Sequence, residues 1–501
     1  MVAYFCLEYA FDDNPDFYRG GLGVLSGDLL LQAEKDNFPL VALGLYYSHS
    51  SEFNLVRDSD HEIVKIPVEV GDHVVAVQAW AKSFGQNQLL LLDSNLPENS
   101  PEDRKICQLL YDPDKLTMLK QQLILCIGGV RLLRQLGIPV DVYHLNEGHT
   151  AMVLLELGRE NQELYRRTVA TKHTIFFGAG LHLTPGELSA GLSLFLKKYG
   201  MDFAAFFKLG EHSKHPGLFS TTNFLLRHVN RACGVSKSHV FYEKKSHSES
   251  RLIPITNGVF TPRWQIPDLP KNPWPVHLRQ KKYLLDKVRE KTGHELANDK
   301  LTIVWSRRLV KYKRPELLFN NLDQLSRIVN DSLRPVQFII AGLTNYLNPD
   351  ESDILNILDQ AVNRPDLSGK VVFWPDYDIT LAKIFTSGAD VLLNTPMTGL
   401  EACGTSGMKA GLNGVLSFSV SDGWYAEVNL PDFGWVLPEE GINTEIYRLI
   451  SEQIAPLYYR RDPSGTPVEW VVRMEKTIRL VEDNFTSARM LKDYREKLYS
   501  Y

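Results

Sequence analysis

Ala389-Asp-Val-Leu-Leu-Asn394 and, after a short turn, Glu401-Ala-Cys-Gly-Thr-Ser-Gly-Met-Lys-Ala-Gly-Leu-Asn-Gly414 are the stretch whose reading decides the fold. The first run is apolar and reads as a buried strand. A glycine-broken turn follows, and Ser406 to Leu412 has the composition of a helix start. That order puts backbone N–H groups and the positive end of a helix dipole where they can hold a phosphate. One lysine, Lys409, lies just inside the helix. A phosphate cradle beside a lysine in apolar surroundings is what a pyridoxal phosphate (PLP) site needs. The same glycine pattern also suits an ordinary βα turn carrying a solvated lysine.

Upstream of this stretch the strand–helix alternation continues. Leu301–Trp305, Val336–Ala341 and Val371–Trp374 are apolar strands, and a helix is predicted over Pro315–Val329. Fully apolar strands between helical segments mean a parallel sheet covered on both faces. The first half is also α/β, with strands at Val2–Leu7, Leu40–Leu45, Val74–Ala79, Leu89–Leu92 and Val140–Leu145, and helices over Met118–Gln135 and Thr150–Asn161. Thr261–Pro275 holds five prolines and reads as an inter-domain connection. At 501 residues the chain is too long for one core. The expected fold is α/β, with two Rossmann-like domains facing across a cleft. The expected divisions are residues 1–260, residues 261–480, and a terminal helix over 481–501 that packs back on the first domain.

Composition narrows the classes of function. A net charge of −5 argues against nucleic-acid binding over the whole surface. The five cysteines lack CxxC or Cys/His spacing, so they read as free thiols in a reducing compartment, with no metal site. The start of the chain lacks the basic and apolar regions of a signal peptide, and no apolar run reaches the ~18–20 residues of a membrane span. The expectation is a cytoplasmic protein without membrane partners.

Four other segments carry chemistry. Tyr18-Arg-Gly-Gly-Leu-Gly-Val-Leu-Ser-Gly-Asp28 is a glycine turn running into a helix, suited to an anion or simply to a tight turn. Ser306-Arg-Arg-Leu-Val-Lys-Tyr-Lys-Arg314 packs five cations into nine residues after a buried strand. It is either a solvated face or a pocket for phosphates. Tyr143-His-Leu-Asn-Glu-Gly-His149 and Lys172-His-Thr174 put histidines at strand ends, as structural residues or as contacts to a ligand. Asn257, in Ile253-Pro-Ile-Thr-Asn-Gly258, can bond a sugar hydroxyl or form the turn.

Together these segments resemble the α-glucan (glycogen, starch and maltodextrin) phosphorylase family in a short form, in the family's order and over nearly the whole chain. Asp376–Ala382, Leu92–Ser100 and the GTSGMK variant at Gly404–Lys409 add to the likeness. The resemblance implies the glycosyltransferase architecture called GT-B. It also implies a PLP-dependent enzyme that cuts terminal α-1,4 links with inorganic phosphate, with retention, giving α-glucose 1-phosphate. Lys409 matches the lysine that carries PLP. Thr405, Ser406 and Gly407 match the cradle of its phosphate, with Arg307 nearby, and Tyr377 matches the aromatic residue beside its ring. Arg308, Lys313, Gly21 and Leu22 match the side of the site that takes inorganic phosphate and substrate. Asn257, Tyr312, Glu401, Cys403 and Gly404 match positions around the transferred glucosyl unit, and His173 matches the histidine facing the sugar. Partners implied are an α-glucan and phosphate, with a homodimer compatible with the family.

The chain departs from the family pattern in places. Cys403 stands where the family has serine, Ile175–His182 is bulkier than the family's loop, and Lys120-Gln-Gln122 replaces an expected arginine and glutamate. The animal enzymes' N-terminal extension has no counterpart in this sequence, so control through it is not expected. Alternatives are a nucleotide-sugar-dependent glucan glycosyltransferase on the same architecture, for which Lys409 has no use, and an inactive glucan-binding homologue.

Overall fold

The computed structural model describes residues 1–47, 52–175, 180–246, 250–343 and 349–500. The chain forms two compact units. The first comprises Met1–Val235, Glu243–Ile255 and Met490–Tyr501, and the second Ser236–Tyr242 and Thr256–Arg489. Both are mixed α/β structures built on large parallel sheets.

In the second unit six parallel strands lie side by side in the order Val371–Trp374, Val336–Ala341, Leu301–Ser306, Val391–Asn394, Leu416–Ser419, Gly434–Val436. Numbered along the chain, that order is 3-2-1-4-5-6, the doubly wound arrangement of Rossmann folds. The strands are almost entirely buried because helices cover both faces. The chain reverses direction across the sheet between the Leu301 and Val391 strands, and loops leaving their carboxyl ends diverge there. Arg307 and Thr395 follow those two strands directly. The cation loop and the glycine turn thus meet at the switch point, where ligands bind in such sheets.

The first unit repeats the principle. Six parallel pairings run through Ile253–Pro254, Arg231–Gly234, Thr168–Lys172, Val142–Asn146, β1 (Val2–Phe5), β2 (Leu40–Leu45) and Asn87–Asp93. His73–Phe84 then pairs antiparallel at one side. Its switch point falls between β1 and the Val142 strand, so Cys6–Glu8 and Glu147 emerge side by side. Helix α1 (Gly21–Lys35) starts with Gly20 at its N-cap.

The end of the chain belongs to this unit's core. Met490, Leu491, Tyr494, Leu498 and Tyr499 pack with Val2, Tyr4 and Cys233. The fully buried His144 accepts or donates at both ring nitrogens, to the Tyr499 hydroxyl and to Thr171 Oγ1, each at 2.7 Å. Burial pushes its pKa down to about 3, so it stays neutral and locks the tail to the sheet.

Several elements differ from the sequence expectations. The helix expected over Pro315–Val329 is broken into a 3-10 turn, Pro315–Phe319, and a helix, Leu322–Val329. Asn321 causes the break, because its side chain accepts from the Gln324 N–H and so starts a new helix. The proline-rich stretch lies within the second unit. It forms the short helix Thr261–Trp264 and opens the long one, Pro273–Thr292, with proline in the first turn of each. Proline is tolerated there because the first-turn N–H groups have no helical partner anyway. The continuous helical stretch Lys115–Gln135 is long and apolar enough to cross a membrane by composition, but 78% of its apolar window is buried in the protein. It is a core helix.

Candidate active site

At the second unit's switch point the two motifs close on each other through one ion pair. Arg307 donates from Nη1 and Nη2 to the two carboxylate oxygens of Glu401, at 2.8 and 3.0 Å. Both residues are buried. Burial alone would raise the Glu401 carboxyl, but Arg307, Lys313 and Arg308 outweigh it and hold its pKa at about 2. Glu401 is therefore an anion in the site. Arg307, matched at first to a cofactor phosphate, spends its fork on Glu401 here.

Lys313 sits among these charges. Burial, then repulsion from Arg307 and Arg308, lowers its pKa to about 7 against the opposing pull of Glu401. Tyr312 is shifted the other way, to about 12, by burial and by Glu401. The loop that carries them is braced from behind. Arg314, at φ 46°, donates to the Thr395 and Pro396 carbonyls and forms a two-pronged pair with Glu439. Thr395 Oγ1 in turn donates to the Lys313 carbonyl at 2.8 Å. Arg308 is exposed at the same loop.

The glycine turn shows why glycine is required. A Cβ on Gly404 would collide with Glu401 Oε1 and Arg307 Nη2, and one on Gly407 would collide with the Tyr425 hydroxyl. Thr405 caps the Ser406–Leu412 helix without spending its side chain on the helix's N–H groups. Lys409 is 5% exposed, and its ammonium lies 3.9 Å from the centre of the Trp264 ring. Burial raises the Tyr377 hydroxyl pKa, with the Ser406 side chain and then Arg307 opposing it. Asn257 donates from Nδ2 to the Cys403 carbonyl at 3.2 Å, while its Oδ1 is buried without a hydrogen-bond partner. Burial raises the Cys403 thiol, so it stays protonated.

These contacts bring together Arg307, Arg308, Tyr312, Lys313, Glu401, Cys403, Gly404 and Asn257, with Thr405, Ser406, Gly407 and Lys409 on the adjoining helix start and Tyr377 in the loop after the Val371–Trp374 strand. Two residues that the sequence reading missed support them. Asp422 accepts from the Gly399 and Glu401 N–H groups through one oxygen and from Ser238 and Gly423 through the other. It holds the Glu401 loop, and its only sequence signal is an Asp-Gly turn. Trp264, under Lys409, was hidden in the proline-rich stretch.

Gly21, Leu22 and His173 lie in the first unit, around its own switch point. Glu8 accepts from the Arg19 N–H at 2.7 Å and from the Tyr111 hydroxyl at 2.6 Å, which fixes the turn before α1. A Cβ on Gly20 or Gly21 would meet nothing within 4 Å. His173 follows the Thr168–Lys172 strand; its N–H donates to Glu147 Oε2 at 2.7 Å and its Nε2 lies 2.5 Å from Asn146 Oδ1. Burial lowers its pKa to about 4, with Glu147 opposing and His149 adding to the fall. Of the unusual Ile175–His182 loop, residues 176–179 lie outside the described residues.

The second unit is a doubly wound α/β sheet with the charged cluster of Arg307, Arg308, Lys313 and Glu401 at its switch point. The family model described as carbohydrate phosphorylase matches residues 267–434, which include the cation loop and the glycine turn. The chain is 31% identical to a glycogen phosphorylase of Aquifex aeolicus, in an alignment covering 100% of this chain and 86% of the relative. It is 30% identical to a maltodextrin phosphorylase of Thermococcus litoralis and 29% to a glycogen phosphorylase of Mycobacterium tuberculosis, each over 100% of this chain and 70% of the relative. The chain belongs to the carbohydrate phosphorylase family, whose members are hexosyltransferases that work as glycan phosphorylases.

Proposed function

We propose that this protein is a PLP-dependent α-1,4-glucan phosphorylase of the cytoplasm, releasing α-glucose 1-phosphate from the non-reducing end of glycogen or maltodextrin with retention. The observation that carries the reading is the buried Lys409 ammonium on the Trp264 face, at the start of a helix whose cap side chain is uncommitted. A nucleotide-sugar transferase has no use for such a lysine. The donor set fits PLP: Lys409 to hold the aldehyde carbon, Thr405, Ser406 and Gly407 to hold the phosphate, and Tyr377 beside the ring. When bound, the cofactor supplies a phosphate whose second pKa near 6 suits proton exchange at neutral pH.

The chain's own residues have distinct tasks in this reading. Arg308 and Lys313 bind inorganic phosphate, and the charge of Lys313 offsets the repulsion between two neighbouring anions. With a pKa of about 7, Lys313 gains or loses a proton readily as phosphate arrives. Glu401, kept ionised by Arg307, accepts from sugar hydroxyls, as does the unpartnered Oδ1 of Asn257. Cys403 offers a weaker donor than the family's serine. Gly21 and Leu22 contribute backbone N–H groups from the first unit, and His173 contacts the sugar. Phosphorolysis needs a site that excludes water, because water in place of phosphate gives hydrolysis.

The test is chemical. Protein supplied with PLP, reduced with borohydride and digested should carry the label on the Lys409 peptide. A protein that takes up no PLP, or takes it up elsewhere, defeats the reading.

A further inference from the structure

We propose that Asn146 is a positioning residue for His173, the last link of a one-directional hydrogen-bond chain that starts at the first turn of α1. The chain lies wholly within the first unit, at its switch point. Its start is the Leu22 carbonyl, which can only accept. Ser26 Oγ lies 3.0 Å from it and 3.1 Å from Cys6 Sγ, and donates its one proton between these two acceptors. Asn146 Nδ2 donates to the Ser26 oxygen at 3.1 Å and lies at the same distance from Cys6 Sγ. With its NH2 group on Ser26 Oγ and Cys6 Sγ, the Asn146 amide leaves Oδ1 for His173. An oxygen at 2.5 Å from Nε2 requires that Nε2 carry the proton.

The consequence is a defined tautomer. A neutral imidazole with its hydrogen on Nε2 has a lone pair on Nδ1, so any ligand hydroxyl that meets Nδ1 must donate to it. His173 then reads a sugar hydroxyl as an acceptor and does not serve as an acid. The charged and titratable neighbours are Glu147, which favours the protonated ring, and His149 and His144, which are themselves neutral in the fold. Glu147 fixes the other half of the geometry. At φ 69°, it binds the His173 N–H through Oε2 and the Gly148 N–H through Oε1. The ring and its backbone are thus held separately, by Asn146 and Glu147.

The chain also explains a sequence pattern that the glycine turn left unused. Ser26 and Leu22 stand four residues apart on α1, so the hydroxyl reaches back over one helical turn. The same first turn follows Gly20 and Gly21. A ligand that tightens this turn therefore moves the origin of the chain that orients His173. The proposal rests on His173 standing at the sugar site.

Selective nitrogen-15 labelling of histidine, with His173→Gln to assign the signal, reads the tautomer directly. The expected result is a neutral ring protonated at Nε2 from about pH 5 to 8. Asn146→Asp keeps the shape but sets a carboxylate against Nε2–H. It should raise the His173 titration by about one unit or more and add an ionisation to the pH profile of kcat/KM. Ser26→Ala frees the amide and should admit the second tautomer. A wild-type ring protonated at Nδ1, or an Asn146→Asp protein whose His173 titrates as in the wild type, overturns the proposal. The spectrum needs no turnover, so an inactive protein with an Nε2–H ring defeats the functional reading alone, and an active one with an Nδ1–H ring defeats this chain alone.

Discussion

Arg307 and Glu401, 94 residues apart, are joined by two parallel hydrogen bonds of 2.8 and 3.0 Å in the interior of the second unit. The pair fastens the loop after the first strand of the sheet to the loop after the fourth. Breaking a buried pair from one side leaves a charge without compensation, which costs about 3–5 kcal/mol. Glu401→Ala should therefore lower the melting temperature more than the Arg307→Met/Glu401→Leu double replacement does. Equal losses from the single and double variants would show that the pair carries no coupling.

Lys313 gives the site a pH dependence with a definite sign. Its pKa falls from the ordinary 10.5 to about 7 in the folded protein. Phosphate favours the protonated form, so binding should take up a proton above pH 7 and weaken as the pH rises further. In stability terms the unfolded chain holds the proton that the folded one lacks between those two values, so the burden of burying Lys313 eases as pH rises through that window. Titration calorimetry in buffers of different ionisation enthalpy measures the uptake. Lys313→Arg, which stays charged, should abolish it; uptake that persists in this variant would locate the proton elsewhere.

Two glycines of the motifs should behave in opposite ways. Gly404→Ala places a methyl against both members of the Arg307–Glu401 pair and should cost stability as well as activity. Gly21→Ala meets open space at the first position of α1 and should fold as well as the wild type or gain ~0.5–1 kcal/mol. Any rise in the phosphate KM of Gly21→Ala then reports on the approach of ligand to the backbone. Melting curves and phosphate saturation curves, run on both variants, separate the cases.

The tail should matter as core. Tyr499→Phe removes the partner of His144 Nδ1 while keeping the ring, and a loss of about 1–3 kcal/mol follows from leaving that buried nitrogen alone. Chemical denaturation followed in the first unit measures it. No loss would mean that the hydroxyl is not what holds the tail.

Four of the six strands of the second unit's sheet were legible because they are short apolar runs separated by helical periods, whereas Leu416–Ser419 and Gly434–Val436, short and interrupted by serine or glycine, were not. The site was legible as pieces: Arg307 to Arg314 and Glu401 to Lys409 each stand out by composition. That Arg307 would grip Glu401 was not, because nothing local in the sequence pairs a cation with a carboxylate 94 residues away. Trp264 was obscured by the prolines around it, which suggested a linker where the chain makes a buried helical turn. Asn321 was overlooked as a helix start because the apolar period runs through it unbroken. Asp422 and Asn146 act through hydrogen bonds to distant backbone or side chains, and a lone Asp or Asn in a turn looks the same whether or not it has such partners.

The central claim is phosphorolysis at a PLP site, and the most direct measurement is glucose 1-phosphate formed from maltodextrin by PLP-loaded protein with and without inorganic phosphate. The account predicts α-glucose 1-phosphate only when phosphate is present, and none from Lys409→Ala under the same conditions. Free glucose without phosphate, undiminished product from Lys409→Ala, or no product from any maltodextrin tried would contradict it.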